Sequence, residues 1–265
     1  MTETNIRNPR EVFEREARLF NHISAMYKES RGFEHYWQNR RKDHVLKEMG
    51  HLIRQERLES LLDIGCAEGF FTMKAVNFGY TLVVGLDISK IKLTRALRRA
   101  RNHGMGIDYV LGSAENLPFR DNTFDLALLS RVLELVPKEE QCLREVYRVT
   151  KEFLICTVPS AHANFLKYIQ RLLKPKQIIF EYPWGTQARL YTLNQLCNKL
   201  SRYWKVIKSF GIAPFTHSII LLNQNAWKLR IFQKLDDALE NRFLFRFFGH
   251  DIFLLCQKNR NTSKV

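Results

Sequence analysis

Between positions 61 and 158, short apolar runs alternate with longer stretches that are apolar on one side only. Leu61, Leu62 and Ile64 make the first run, and positions 82–86, 108–111, 126–129 and 153–158 repeat it. Runs of four to six apolar residues that do not alternate with polar ones predict strands buried on both faces, as in a parallel sheet. The stretches between them, 70–78, 90–103 and 139–149, have helical spacing. In the second of these, Leu93, Ala96, Leu97 and Ala100 form an apolar stripe, Ser89 is placed to cap, and Lys90, Lys92, Arg95, Arg98, Arg99 and Arg101 read as a solvated face. Strand–helix alternation of this kind predicts a doubly wound α/β sheet.

Outside that region the pattern changes. Residues 1–58 read as an amphipathic helical segment, with Phe13, Ala17, Phe20 and Ile23, then Val45, Met49 and Leu52, at helical spacing. Residues 161–188 interrupt the alternation: 161–173 reads as helix, Lys174-Pro175-Lys176 punctuates it, and 180–185 is an aromatic loop. A helix at 193–203 and a sixth strand at 204–212 follow. A second insertion, 222–248, holds Trp227, Ile231, Leu235 and Leu239 at helical spacing and a Phe-rich stretch, and 251–256 is the last strand.

The chemistry concentrates at 61–72, Leu-Leu-Asp-Ile-Gly-Cys-Ala-Glu-Gly-Phe-Phe-Thr. Gly65 and Gly69 allow positive φ and a close backbone approach at the carboxyl end of the first strand. Their spacing differs from the dinucleotide pattern G-x-G-x-x-G. Asp63 and Glu68 bring negative charge, which suits a cationic or zwitterionic ligand better than a pyrophosphate. Asp-x-Gly-x-x-x-Gly resembles the first motif of the class I S-adenosylmethionine-dependent methyltransferases. Three further segments stand in that family's order: 80–89 ending at Asp87-Ile88-Ser89, 112–119 (Gly-Ser-Ala-Glu-Asn-Leu-Pro-Phe), and 122–137. The resemblance covers 55–160 well and continues weakly at 189–196, in the manner of the ubiquinone/menaquinone-biosynthesis-like (methyltransferase type 11) branch.

The resemblance implies a Rossmann-like, mostly parallel sheet of about seven strands with the last antiparallel, N-terminal helices and late helical insertions. It divides the chain into a segment 1–58 that covers the cofactor site and a methyltransferase domain 59–265. S-adenosylmethionine is the implied cofactor and S-adenosylhomocysteine the product. Asp63, Gly65 and Gly69 would hold the methionine moiety; Asp87 the ribose, as an acidic residue about 20 positions after the turn does; Ile88, Ala114 and Glu115 the adenine; Leu129 and Ser130 the sulfur. Arg131, His162, Tyr182 and Trp184 are the candidates for the acceptor side, and Glu134 follows the fourth strand. Tyr27, Tyr36, Trp37 and Arg41 could reach the methionine end. Two departures stand out: Ser113 occupies the place of an adenine-binding Asp, and Leu135 that of a common His. No general base is identified.

A 265-residue chain with 45% hydrophobic residues suits one large α/β domain, and no apolar run reaches the ~18 residues of a membrane span. With no secretory pattern at its start, a cytosolic location is expected. Five scattered cysteines suggest neither a disulfide framework nor a zinc site. The net charge is +15, and residues 161–265 carry 17 Lys and Arg against 5 Asp and Glu. That excess suits an anionic membrane surface, RNA, or solubility alone. The leading expectation is methyl transfer to a small-molecule or lipid-like acceptor. The alternatives are an RNA methyltransferase and a non-catalytic cofactor-binding regulator.

Overall fold

The computed structural model describes residues 33–161, 179–181, 187–213, 231, 234–238, 247 and 249–259. The elements run α1 (Phe33–Glu56), β1 (Ser60–Ile64), α2 (Phe70–Phe78), β2 (Leu82–Asp87), α3 (Lys90–Asn102), β3 (Asp108–Leu111), β4 (Phe124–Ser130), α4 (Glu139–Val149), β5 (Thr150–Pro159), β6 (Ile179–Glu181), β7 (Gln187–Arg189), α5 (Leu193–Leu200), β8 (Trp204–Ile212) and β9 (Asp251–Lys258). Seven strands form one sheet in the order β3-β2-β1-β4-β5-β9-β8, and β6 and β7 form a separate two-stranded ribbon. β1 through β5 pair in parallel, while β9 lies antiparallel to both β5 and β8. The expected architecture is therefore present, and the strand order reverses between β1 and β4. The crevice above the carboxyl ends of those two strands is where such sheets bind ligands.

Each face of the sheet has its own core. Leu62, Ile64, Val84, Leu86, Ala127 and Leu129 pack with Leu143 and Val146 of α4 and with Leu196 and Leu200 of α5. Leu61, Val83, Leu126 and Leu128 pack on the other face with Val45, Met49 and Leu52 of α1, Ala75 of α2 and Ala100 of α3. α1 is thus an integral layer of the domain, and the Val45–Met49–Leu52 spacing marks its buried side. Phe13, Ala17, Phe20 and Ile23 lie outside the described residues, as do residues 162–173 of the helix expected at 161–173.

Helix ends follow local chemistry. Ser89 caps α3 by accepting from the Lys92 amide at 3.3 Å, and Thr192 with Gln195 makes a capping box on α5. The basic face of α3 is solvated, as expected: Leu93, Ala96 and Ala100 are buried, and Arg95 and Arg99 pair with Glu68.

Some boundaries differ from the sequence reading. α5 stops at Leu200 instead of reaching 203, because the Tyr203 hydroxyl bonds Glu140 at 2.6 Å and Trp204 is buried as the start of β8. Phe180 and Glu181, expected in a loop, pair with Ala188 and Gln187 in the β6–β7 ribbon. Of the stripe Trp227, Ile231, Leu235 and Leu239, Ile231 is exposed and Leu235 half-buried, while the outer two lie outside the described residues.

A polar clamp fixes the amino ends of β1 and β4. Asp125 Oδ2 accepts from the Glu59 and Ser60 amides, both at 2.9 Å, and from Ser60 Oγ at 2.8 Å; Ser60 Oγ in turn accepts from the Asp125 amide. Lys151 holds the other oxygen at 2.9 Å. Asp125→Ala leaves these donors unmatched and should cost about 3 kcal/mol. Thermal denaturation should show a midpoint lower by roughly 6–12 °C.

Candidate functional site

The turn after β1 rises into the crevice. Gly65 and Gly69 have φ of 72° and 77°, and Ala67 between them has φ 49°. A Cβ on Gly65 would lie 2.2 Å from Val132 Cγ2, and one on Gly69 would lie 2.4 Å from the Tyr109 hydroxyl. Both glycines are therefore required by backbone angle and by neighbours. The Gly65 and Cys66 amides donate to the Leu86 carbonyl at 2.7 and 3.0 Å, which ties the turn to the end of β2.

Asp87 completes that tie. Its Oδ2 accepts from the Ala67 amide and its Oδ1 from the Ser89 amide, each at 2.8 Å. One carboxylate thus holds the strained Ala67 and the entry to α3 together, and each oxygen keeps a further lone pair for a ligand. Asp63 is different. It is buried on β1, and its Oδ2 has no hydrogen-bond partner. Burial, and then the nearby Asp87 carboxylate, push the Asp63 carboxyl up to about 8.

The other sequence candidates are placed as follows. Ile88 is half-buried beside Asp87, and Ala114 is buried on the loop after β3. The Ser113 hydroxyl accepts from the Glu115 amide at 3.2 Å. Glu115 Oε1 accepts from the Lys138 amide at 2.6 Å, so this carboxylate is engaged at the entrance to α4. Leu129 is fully buried in the α4-side core, and its backbone pairs with Ile64 of β1 and Cys156 of β5. Ser130 Oγ bonds Thr157 Oγ1 at 2.9 Å. Arg131, just past β4, has φ 61° and pairs with Glu134 and Asp251 at 3.1 and 2.9 Å. His162, Tyr182 and Trp184 lie outside the described residues, as do Tyr27 and the side chains of Tyr36 and Trp37.

Arg41 of α1 reaches the same Asp251, at 3.2 Å. Asp251 and His250 were not singled out from the sequence. The one available signal was a charged residue opening an otherwise apolar final strand. The late basic residues are also less free than composition suggests. Lys199, Arg202 and Lys208 pair with Glu139, Glu140 and Glu48, and Lys258 bonds the Tyr147 and Thr150 carbonyls. Among the described residues, no group of three or more His, Cys, Asp and Glu side chains is arranged to hold a metal.

Residues 62–155 match the family model described as a methyltransferase domain. A relative from Escherichia fergusonii, ubiquinone/menaquinone biosynthesis C-methyltransferase UbiE, is 33% identical over 175 residues, covering 64% of this chain and 66% of that protein. The chain carries a methyltransferase domain of the S-adenosylmethionine-dependent kind. The aligned part thus spans just under two thirds of that relative's length. Two solved structures share the fold at low identity. The putative S-adenosylmethionine-dependent methyltransferase from Listeria monocytogenes has a TM-score of 0.57, 16% identity, and coverage of 82% of this chain and 96% of that one. The [4+2]-cyclase SpnF has a TM-score of 0.56, 18% identity, and coverage of 80% and 81%.

The cofactor that the family implies fits these residues. An α-ammonium group would satisfy the orphaned Asp63 oxygen, and the free lone pairs of Asp87 suit hydroxyl donors. Two expectations follow. An ammonium placed on Asp63 requires the ionised carboxylate, so S-adenosylhomocysteine affinity should climb by up to about tenfold per pH unit between pH 6 and 8; calorimetry across that range reads it, and Asp63→Asn should flatten the profile. Without ligand the sign is opposite. The folded carboxyl stays protonated up to about pH 8 while the unfolded one ionises above about 4, so folding weakens as pH rises across that window. Thermal denaturation of the ligand-free protein should show this slope, and Asp63→Asn should reduce it.

Proposed function

We propose that the protein moves the methyl group of S-adenosylmethionine to a small, apolar acceptor that carries a ring hydroxyl. The observation that carries the cofactor half is the buried, unpartnered Asp63 oxygen beside the glycine turn. On this reading Asp63, Gly65 and Gly69 hold the methionine end, Asp87 the ribose, and Ile88, Ala114 and Glu115 the adenine. Leu129 and Ser130 flank the sulfur. The acceptor class is supported by the name of the relative, a C-methyltransferase of ubiquinone and menaquinone biosynthesis. Arg131 stands on the acceptor side, and His162, Tyr182 and Trp184 are proposed to join it there.

The cofactor supplies a methyl group on a sulfonium, a leaving group that needs no further activation. The chain's share of the work is to align nucleophile and methyl and to exclude water, a positioning effect of roughly 7 kcal/mol or more. Among the described late residues, pairing of Lys199, Arg202 and Lys208 with glutamates weighs against an RNA track over α5 and β8. No helix among the described residues is long and apolar enough to cross a membrane. An acceptor with an isoprenoid tail would meet the protein at a membrane surface, and flotation with anionic vesicles tests that arrangement.

The direct test is transfer of labelled methyl from S-adenosylmethionine to a reduced, prenylated 1,4-naphthoquinone lacking the ring methyl, against short RNA as the competing acceptor. Label in the quinol and none in RNA is the expected result. Asp87→Ala should weaken S-adenosylhomocysteine binding by about a hundredfold, the equivalent of one to two charge-assisted hydrogen bonds. Wild-type affinity in that variant would remove Asp87 from the site.

A further inference from the structure

A buried charge cluster lies where the carboxyl ends of β4 and β5 meet the start of β9, and the cofactor turn does not use it. Arg131 organises it. Its left-handed backbone, with φ 61°, is held by its amide donating to the Thr157 carbonyl at 2.8 Å. Its guanidinium then bridges Glu134 Oε1 at 3.1 Å and Asp251 Oδ1 at 2.9 Å. A non-glycine residue kept in that conformation marks a position where geometry matters more than local comfort. Asp251 is fully supplied with partners: the Arg131 and Arg41 guanidinium groups, the latter at 3.2 Å, and His250 Nδ1 at 3.3 Å. Burial would raise its carboxyl, yet Arg131, His250 and Arg41 hold it well below the usual carboxylate range.

Glu134 is not so supplied. Its side chain is 1% exposed, Arg131 holds one oxygen, and Oε2 is buried with no hydrogen-bond partner. Arg41 Nε is likewise buried and unpartnered. Orphaned polar atoms at this depth are rare in a merely structural ion pair, because each costs about 1–3 kcal/mol. An orphan acceptor and an orphan donor in one cluster match a group that can both donate and accept. A hydroxyl does so; a carboxylate, an ammonium or a thioether does not. The segment also sits at the reacting end, since Val132 packs directly against Gly65 of the cofactor turn.

We propose that Glu134 is the general base of this enzyme, taking through Oε2 the hydroxyl proton of the methyl acceptor, with Arg41 positioning the oxygen. The proposal rests on the methyltransferase reading above and deepens it. The O–H bond breaks and its proton moves to Oε2. The released electron pair, directly or through the ring, forms the new bond to the methyl carbon as the methyl–sulfur bond breaks and sulfur keeps its pair. A ring carbon methylated in this way loses its own hydrogen as a proton while the hydroxyl regains one, so one proton leaves per turnover. The charged groups around Glu134 are Arg131 on its own segment, Arg41 from α1 and Asp251 from β9; Tyr191 and Cys156 are the other titratable groups within electrostatic reach. Burial lifts the Glu134 carboxyl to about 7 against the pull of Arg131, which suits proton uptake near neutrality.

The test uses the full chain, Glu134→Gln and Glu134→Asp, with S-adenosylhomocysteine calorimetry and methyl transfer to the reduced prenylated naphthoquinone from about pH 5.5 to 9. Wild-type kcat should rise with pH through about 7 and then level. Glu134→Gln should keep the calorimetric affinity within about threefold, lose about a hundredfold or more in kcat, and lose the acidic limb. Glu134→Asp should keep a displaced limb. A Glu134→Gln variant within about threefold of wild-type kcat, with the limb intact, overturns the proposal. If Glu134→Gln fails to fold, Glu134→Asp decides: an acidic limb unmoved from wild type overturns the proposal, and a displaced one supports it. Wild type that binds S-adenosylhomocysteine yet methylates no hydroquinone sinks the base assignment and the acceptor chemistry, whereas wild type that binds none sinks the methyltransferase reading itself.

Discussion

The Asp87 carboxylate is the joint on which the candidate cofactor site hangs. It receives the Ala67 amide from the turn after β1 and the Ser89 amide at the start of α3. Two crossover connections that begin on different strands are thereby locked to one side chain. The left-handed backbone at Ala67 is tolerable because this bond and the two amides on the Leu86 carbonyl over-determine it. A second acidic side chain, Asp63, is buried beneath the turn with no cation beside it among the described residues and is held protonated to about pH 8. One acidic group serves the architecture, and the other is buried with an unpartnered oxygen.

Charge elsewhere follows a different logic. Along the chain, acidic residues thin out after position 160 while basic ones keep their density, and the fold brings late cations to early glutamates. Lys199, Arg202 and Lys208 meet glutamates from the first 160 residues, and Arg148 binds Glu145 and Asp121. Among the described residues, a linear imbalance of charge thus overstates the number of unpaired late cations. Such exposed pairs contribute little stability individually, yet they consume cations that composition would assign to a polyanion.

What could be read from the chain beforehand divides along physical lines. Strand β3 and helices α2 and α4 fell at their expected limits, because their apolar spacing is a local property. Gly65, Gly69 and Asp87 were recognisable for the same reason: a tight turn and a strand-end carboxylate are written in a few consecutive residues. The end of α5 was overextended since Tyr203 and Trp204 are drawn away by Glu140 and the core, partners far off in the chain. The cluster of Arg41, Arg131, Glu134 and Asp251 was harder still. Arg131 and Glu134 could be noted beside a strand end, but nothing local announces that positions 41 and 251 will share an ion pair.

That long reach has a bearing on how the protein comes into being. β9 lies between β5 and β8, inside the sheet and not at its border. Its first residue, Asp251, also anchors Arg41 from the opening helix. A nascent chain still lacking β9 carries a gap in the sheet's interior and two arginines without their common counter-ion. The reactive end can therefore be assembled only after the ribosome has released the strand that fills that slot.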